Sequence, residues 1–206
     1  MSSYSNLQLG QTITIGKYYK YANDLNTKEL IDWIVLDIDT NAKKALVVSK
    51  YALECGPYHD MPEDITWEDS DIRAWLNNEF LQTAFSKDEQ KRICLSHIKN
   101  SNNPESNTLG GNDTDDKVFL LSIEEAQTYF KDDDARRCTP NEYCFTCTGY
   151  EEDVKNYGLW YLRSPGYEQD TAATVYPSGF IAIRAANQNF EDALIRPAMW
   201  ISIKED

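Results

Sequence analysis

LWYLRSPGYEQDTAATVYPSG (159–179) and IRPAMWISI (195–203) are the stretches on which the fold turns. Each is an apolar run interrupted by an arginine close to a proline: Arg163 ahead of Ser164-Pro165, and Arg196 ahead of Pro197. Their alternation and aromatic or β-branched content predict strands over 160–163, 172–176, 180–184 and 195–203, with Pro177-Ser178-Gly179 as the tight turn of the middle hairpin. A guanidinium inside such a strand has to be paired and hydrogen-bonded, because an apolar surround would otherwise penalise its charge heavily. Both arginines are therefore struts of the fold, grips on a ligand, or catalytic groups.

Strands also open the chain. Residues 11–15 alternate polar and apolar, and DWIVLDI (32–38) and KALVVS (44–49) flank the polar turn Asp39-Thr40-Asn41-Ala42 as a hairpin. In DITWEDSDIRAWLNNEF (64–80), Ile72, Trp75, Leu76 and Phe80 recur at helical spacing, with Asp69 or Ser70 as N-cap. Ser86-Lys-Asp-Glu89 and Ser122-Ile-Glu-Glu125 are capping boxes, each opening a helix; the second follows a short buried strand at 118–121 and runs to about Phe130. The stretch 97–117, rich in Asn, Ser, Gly and Asp, reads as a long surface loop, and 131–157 as a second irregular region. Strands, then helices, then strands argue an α+β class and one domain over residues 1–206.

The chain has 206 residues, 41% of them hydrophobic and 12% aromatic, enough for a substantial core and too much for a disordered chain. Tyr (13) outnumbers Phe (7), which suits half-buried strands and rims that touch ligands. A formal net charge of −14, with basic residues scattered, disfavours nucleic acid as a partner. Apolar runs such as 118–121 are too short to cross a bilayer. The start, MSSYSNLQLGQ, lacks a secretory pattern, so the expectation is a cytoplasmic protein, or a secreted one if a signal was removed. Five cysteines, an odd count at irregular spacing, fit free thiols in a reducing compartment.

Six blocks occur in a specific order: W-x-V-L (33–36), T-W-x-x-S-x-I-R-x-W-L-N (66–77), D-K-V-F-L-L-S-x-x-E (116–125), W-Y-L-R-S-P-G (160–166), V-x-x-x-G (175–179) and R-P-A-x-W-I (196–201). Together they resemble a widespread bacterial, Firmicutes-type family classed as a domain of unknown function. That family is in turn similar to the C-type-lectin-like fold of the formylglycine-generating enzyme group. The resemblance implies a single C-type-lectin-like domain, a twisted, mostly antiparallel sheet with flanking helices and long loops, whose N-terminal and closing strands pair. It implies no activity. Since the arginines stand in the family's own blocks, resemblance and physics agree that Arg163, Arg196 and Arg73 are struts holding a carboxylate or loop carbonyls.

No complete catalytic constellation is legible. Cys144-x-x-Cys147 has the spacing of half a zinc or redox site, with Cys138 nearby and Cys55, His59, Cys94 and His97 elsewhere, but no second CxxC completes it. The resemblance places Cys144 where relatives often carry alanine, which implies a small buried apolar residue. Asp113, Asp115 and Asp116 have calcium-ligand chemistry without the spacing of a calcium loop, and Asp132-Asp133-Asp134 reads as a solvated run. No metal or cofactor is expected. Tyr167, Tyr176, Arg184, Asn187, Gln188, Asn189 and Phe190 combine rigid aromatics with amides, the chemistry of adaptable binding surfaces. The leading expectation is a non-catalytic module recognising a protein or a carbohydrate through these C-terminal turns. The alternatives are an enzyme acting on carbohydrate or peptide, and a structural domain of a phage or mobile element.

Overall fold

The computed structural model describes residues 6–148, 157–189 and 192–204, and of residues 147, 148 and 184–187 the backbone. The chain is α+β. Among the described residues there are three antiparallel or mixed sheets, one a curled half-barrel, and five helical segments.

The first sheet has the order β1-β2-β3-β11, from β1 (Thr12–Tyr21), β2 (Asp24–Asp39), β3 (Lys44–Ser49) and β11 (Ala198–Ser202). The predicted β2–β3 hairpin is present, and its turn is local chemistry. Asp39 Oδ1 accepts from the N–H groups of Asn41 (3.0 Å) and Ala42 (2.8 Å), and Lys43 follows in the left-handed region. β11 pairs antiparallel with β3, so an N-terminal strand and the closing strand share a sheet. Trp33, Val35, Met199 and Ile201 are buried in one core, and the Trp33 indole donates to the Ile15 carbonyl at 2.9 Å.

The second sheet has the order β4-β10-β7-β8-β9, from β4 (Glu54–Cys55), β7 (Trp160–Pro165), β8 (Thr171–Val175), β9 (Ile181–Asn187) and β10 (Leu194–Ile195). The run 195–203, expected as one strand, divides here. β10 lies parallel to β7, whereas β11 belongs to the other sheet. The break falls at Arg196-Pro197, because proline has no N–H for a ladder and holds the preceding residue extended. The junction is tied to the end of β3: Ser49 N–H donates to Pro197 O at 2.9 Å, and Arg196 Nε donates to Ser49 O at 3.0 Å.

The helices lie between the sheets in sequence. Ser70 caps α1 (Asp71–Trp75), which runs through a π-helical turn (Leu76–Phe80) into α2 (Leu81–Ala84). Both capping boxes form, opening α3 (Lys87–Arg92) and α4 (Ile123–Tyr129). The buried run 118–121 is not a ladder strand. Its backbone is satisfied piecemeal, by a single bridge from Phe119 to Ala198, by the Asn77 amide at Val118, and by Arg163 at Leu120 O (2.8 Å). Two expected loops also carry structure. β5 (Ser96–Ile98) pairs with β6 (Thr114–Asp116) inside 97–117, and α5 (Asp133–Arg136) and α6 (Glu142–Thr148) occupy the stretch read as irregular. Among the described residues no helix is long and apolar enough to cross a membrane.

Candidate ligand-binding surface

The arginines come first, because they decide what the rest of the C-terminal region is free to do. Arg163 is 4% exposed and grips both oxygens of Glu125, Nη2 to Oε1 at 3.1 Å and Nη1 to Oε2, while also donating to the carbonyls of Leu120 and Lys99 (3.2 Å). Arg196 is 1% exposed and meets no carboxylate among the described residues. It donates to Ser49 O and Arg136 O (3.2 Å), with its guanidinium 5.1 Å from the ring centroids of both Phe130 and Trp160. Burial pushes its pKa down. Arg73 Nε meets Asp116 at 2.8 Å. All three bind groups of the fold itself.

The turn residues separate into two places. Tyr167 (45% exposed) lies in the β7–β8 turn, near the end of β9 where Thr171 pairs with Asn187. Tyr176 (42% exposed) follows β8 at its other end, about 17 Å away for five strand residues. Asn189 is exposed beside the first group. Gln188 is not on the surface at all, with 1% exposure. Its side-chain Nε2 donates to Gln169 O (3.1 Å) and Thr171 O (3.3 Å), and its backbone carbonyl receives the N–H groups of Tyr58 (2.7 Å) and His59 (3.1 Å). The side chain is drawn inward by the carbonyls that its Nε2 satisfies, while its Oε1 is buried without a hydrogen-bond partner among the described residues. Arg184 and Asn187 are placed on β9 by their backbone, and Phe190 lies outside the described residues.

At the Tyr176 end the β8–β9 turn is clasped from outside the sheet. Arg136 Nε donates to Gly179 O at 2.9 Å and Arg137 Nε to Ser178 O at 3.2 Å, both from the end of α5. Gly179 has φ +88°, and a Cβ there would sit 1.8 Å from Asp133 O, so only glycine lets the turn dock this closely. The clasped turn holds Tyr176 and Phe180 (57% exposed) with ring centroids 6.4 Å apart. They border a groove of about 280 Å³ whose other walls are Ile181, Ala182, Ile183 and Glu105. The neighbouring loop is fixed as well: Asn103 Nδ2 donates to Pro165 O, Gly166 O and Ile183 O at 2.9–3.1 Å, bridging β7 to β9. The sequence pattern places Phe180 as the first residue of a strand. The signal that marks it as part of the rim is its place directly after a Pro-Ser-Gly turn that begins with another aromatic.

Two further cavities stand apart from these turns. One, of about 320 Å³, opens over the Arg163–Glu125 pair between Lys99, Glu124, Tyr129 and Trp200. The other, of about 290 Å³, lies between β4 and α1 and has Glu54 in its wall. Burial pushes the Glu54 carboxyl up to about 7, against hydrogen bonds from Tyr18 Oη (2.8 Å) and the Cys55 N–H (3.2 Å) that act the other way.

Residues 42–203 match a family described as a domain of unknown function, DUF6273. The chain belongs to DUF6273. The DUF6273 match begins inside the β2–β3 turn, so β1 and β2 precede it, and it contains the arginine blocks, the clasped turn and all three cavities. Neither a curated protein nor a solved structure matches the chain.

The candidate metal ligands are engaged by the protein. Asp113 accepts from the Asn100 N–H (2.9 Å), Asp115 faces His97 Nδ1 (3.1 Å), and Asp116 takes Trp67 Nε1 (2.9 Å) and Arg73. Cys55, Cys94, Cys138 and Cys144 are free thiols, and Cys144 is fully buried as a small apolar residue. Among the described residues no three His, Cys, Asp or Glu side chains are grouped to hold a metal ion.

Proposed function

We propose that this DUF6273 domain is a non-catalytic binding module that recognises an extended protein segment through the groove beside the β8–β9 turn. The observation that carries this reading is the docked turn: two exposed aromatics are held over an apolar groove by Arg136 and Arg137 at no cost to the core. A pre-positioned aromatic pair gives contact area without the entropy of ordering it on binding. Among the described residues the groove is lined by five apolar or aromatic side chains and by Glu105. A carbohydrate would need converging amides and carboxylates there, whereas alternate side chains of an extended segment match both the apolar walls and one acidic group. β9 is the last strand in its sheet, which leaves room for such a segment alongside it.

The reading includes a C-type-lectin-like fold. It is supported by the pairing of the closing strand β11 with β3, and by the turns that project from the second sheet rather than from the shared one. Panning a displayed random-peptide library on the immobilised protein, with a glycan array in parallel, tests it. The expected outcome is peptides with apolar residues at alternate positions and one Lys or Arg, whose binding is lost in the Tyr176→Ala/Phe180→Ala double variant. Selective glycan binding would transfer the module to carbohydrate. Binding that survives the double variant would move the site elsewhere.

A further inference from the structure

The cavity between β4 and α1 has an unusual balance of charge. Glu54, Asp60 and Asp71 contribute carboxyl groups to its lining, Trp75 an indole, and Ile72 and Ile195 apolar wall. No Lys or Arg is among its lining residues, and the whole chain carries a net charge of −14. Asp71 is partly engaged, by the Asp60 N–H (3.0 Å) and by His59 Nδ1 2.7 Å from its Oδ2, and Glu63 takes the other ring nitrogen at 3.1 Å. Glu54 contrasts with the two carboxylates that the arginine struts Arg163 and Arg73 hold. Glu125 and Asp116 are each met by an arginine, but Glu54 is met by a phenol and an amide N–H.

A carboxyl group in the wall of a cavity, with neutral donors and no cation, calls for a ligand that brings the missing charge. The remaining walls define that ligand. The indole and the two isoleucines accept methylene groups, an aromatic face attracts a cation, and about 290 Å³ holds a short alkyl chain. We propose that this cavity binds a primary alkylammonium group, its nitrogen on the Glu54 carboxylate and its chain against Trp75, Ile72 and Ile195. The ligand class covers free alkylamines and the lysine side chain of a partner protein. This goes beyond the groove at the β8–β9 turn, since none of its lining residues is shared with that groove.

The titratable groups facing Glu54 are Tyr18 from β1, Tyr143 from α6 and Glu79 from the π-helical turn, with Asp60 and Asp71 in the same cavity lining. None of these groups is a cation that would hold the Glu54 carboxylate ionised. An ammonium ion would do so, and a proton leaves as the ligand enters. Affinity therefore rises from pH 6 to pH 8, where the free carboxyl passes from protonated to ionised while the amine stays charged.

Calorimetric titration of the full chain with n-butylammonium and with n-butanol tests the proposal. The charged probe is expected to bind at least tenfold more tightly at pH 8 than the neutral one. Its affinity should fall severalfold at pH 6, with proton release seen as a buffer-dependent heat. Glu54→Gln should remove at least tenfold of the affinity while the protein remains folded, and Asp60→Asn, on the exposed rim, should weaken it about twofold. An acetylated Gly-Lys-Gly amide separates the sources: tighter binding than n-butylammonium identifies a protein lysine, weaker binding a free amine. Equal affinity for n-butanol, undiminished affinity in Glu54→Gln, or no heat with n-butylammonium at millimolar concentration would each overturn the assignment.

Discussion

Arg163 and Arg196 occupy equivalent places in their sequence blocks, and both are buried, yet among the described residues only Arg163 has a carboxylate partner. The region around Arg163 joins a helix to a sheet: Glu125 belongs to the capping box of α4 and also neutralises a guanidinium on β7. The region around Arg196 is the crossing between two sheets, where the guanidinium lies near two aromatic rings and donates to carbonyls at the ends of β3 and α5. The difference teaches that the same sequence device, an arginine before a proline in an apolar run, reports that a polar joint is needed. It does not report which kind of joint. A paired charge fails when its partner is stranded; an unpaired one already bears its desolvation cost, so removing it recovers part of what is lost.

The sharpest way to break this comparison is to replace each arginine by methionine, which keeps much of the volume. Arg163→Met leaves Glu125 without its cation and the Leu120 and Lys99 carbonyls without donors. The expected loss is about 3–5 kcal/mol in denaturant melts. Arg196→Met strands no carboxylate, loses two hydrogen bonds and the ring contacts, and removes a charge the site does not neutralise. The expected loss is smaller, about 1–3 kcal/mol. Equal losses would mean that the joints are equivalent and that Glu125 adds nothing beyond its cap.

Glu54 sharpens the same contrast from the acidic side, with an expected effect between those two and of opposite sign. Its carboxyl sits at about 7 in the folded protein against 4.5 ordinarily, a difference worth roughly 3 kcal/mol. The folded state holds this proton more tightly than the unfolded state. The contribution is therefore fully present below about pH 4.5 and is lost as the pH rises through about 7. Glu54→Gln should then be more stable than the parent at pH 8, by up to about 3 kcal/mol, and nearly equal to it at pH 4. Paired melts at the two pH values check this. A variant less stable at pH 8 would show that the ionised carboxylate is compensated in the empty protein.

These contrasts also mark what was legible in the sequence. Capping boxes are contained within four residues, so Ser86–Glu89 and Ser122–Glu125 could be read with confidence in their chemistry, and both form. The β2–β3 turn was local too. The division of 195–203 between two sheets was not legible, because the partners that separate β10 from β11 lie on β7 and β3, far away in the chain. The run 118–121 has the apolar content of a strand, which signals burial, while its hydrogen bonds are a single backbone bridge at Phe119, the Arg163 N–H at Leu121 O, and the side chains of Asn77 and Arg163. Asp132, Asp133 and Asp134 are exposed, as a solvated run should be, and Asp132 also caps α5, its Oδ1 accepting from the Ala135 N–H. Among the proposed contact residues, exposure of Tyr176 followed from its turn, whereas the inward course of Gln188 depends on five distant backbone groups no local pattern reveals. Glu54 carries no local sign of its environment: two residues of β4 and a tyrosine 36 positions earlier create it.

The smallest expected effect on stability belongs to the β8–β9 rim, and its smallness is the point. Tyr176 and Phe180 are 42% and 57% exposed, and their ring pair lies outside the joints that Arg163 and Arg196 make. The turn beneath them is held through backbone carbonyls of Ser178 and Gly179, which survive any side-chain change at 176 or 180. Tyr176→Ala and Phe180→Ala should each move stability by no more than about 0.5 kcal/mol, the scale of substitutions away from cores and caps. Gly179→Ala in the same turn is the control with the opposite expectation, because its new methyl group would press on the Asp133 backbone and release the clasp. Melting the three variants side by side separates the rim from its support. Should Tyr176→Ala or Phe180→Ala melt as early as Gly179→Ala, the aromatics are part of what holds the turn, and the groove they border is packing rather than a site kept open for a partner.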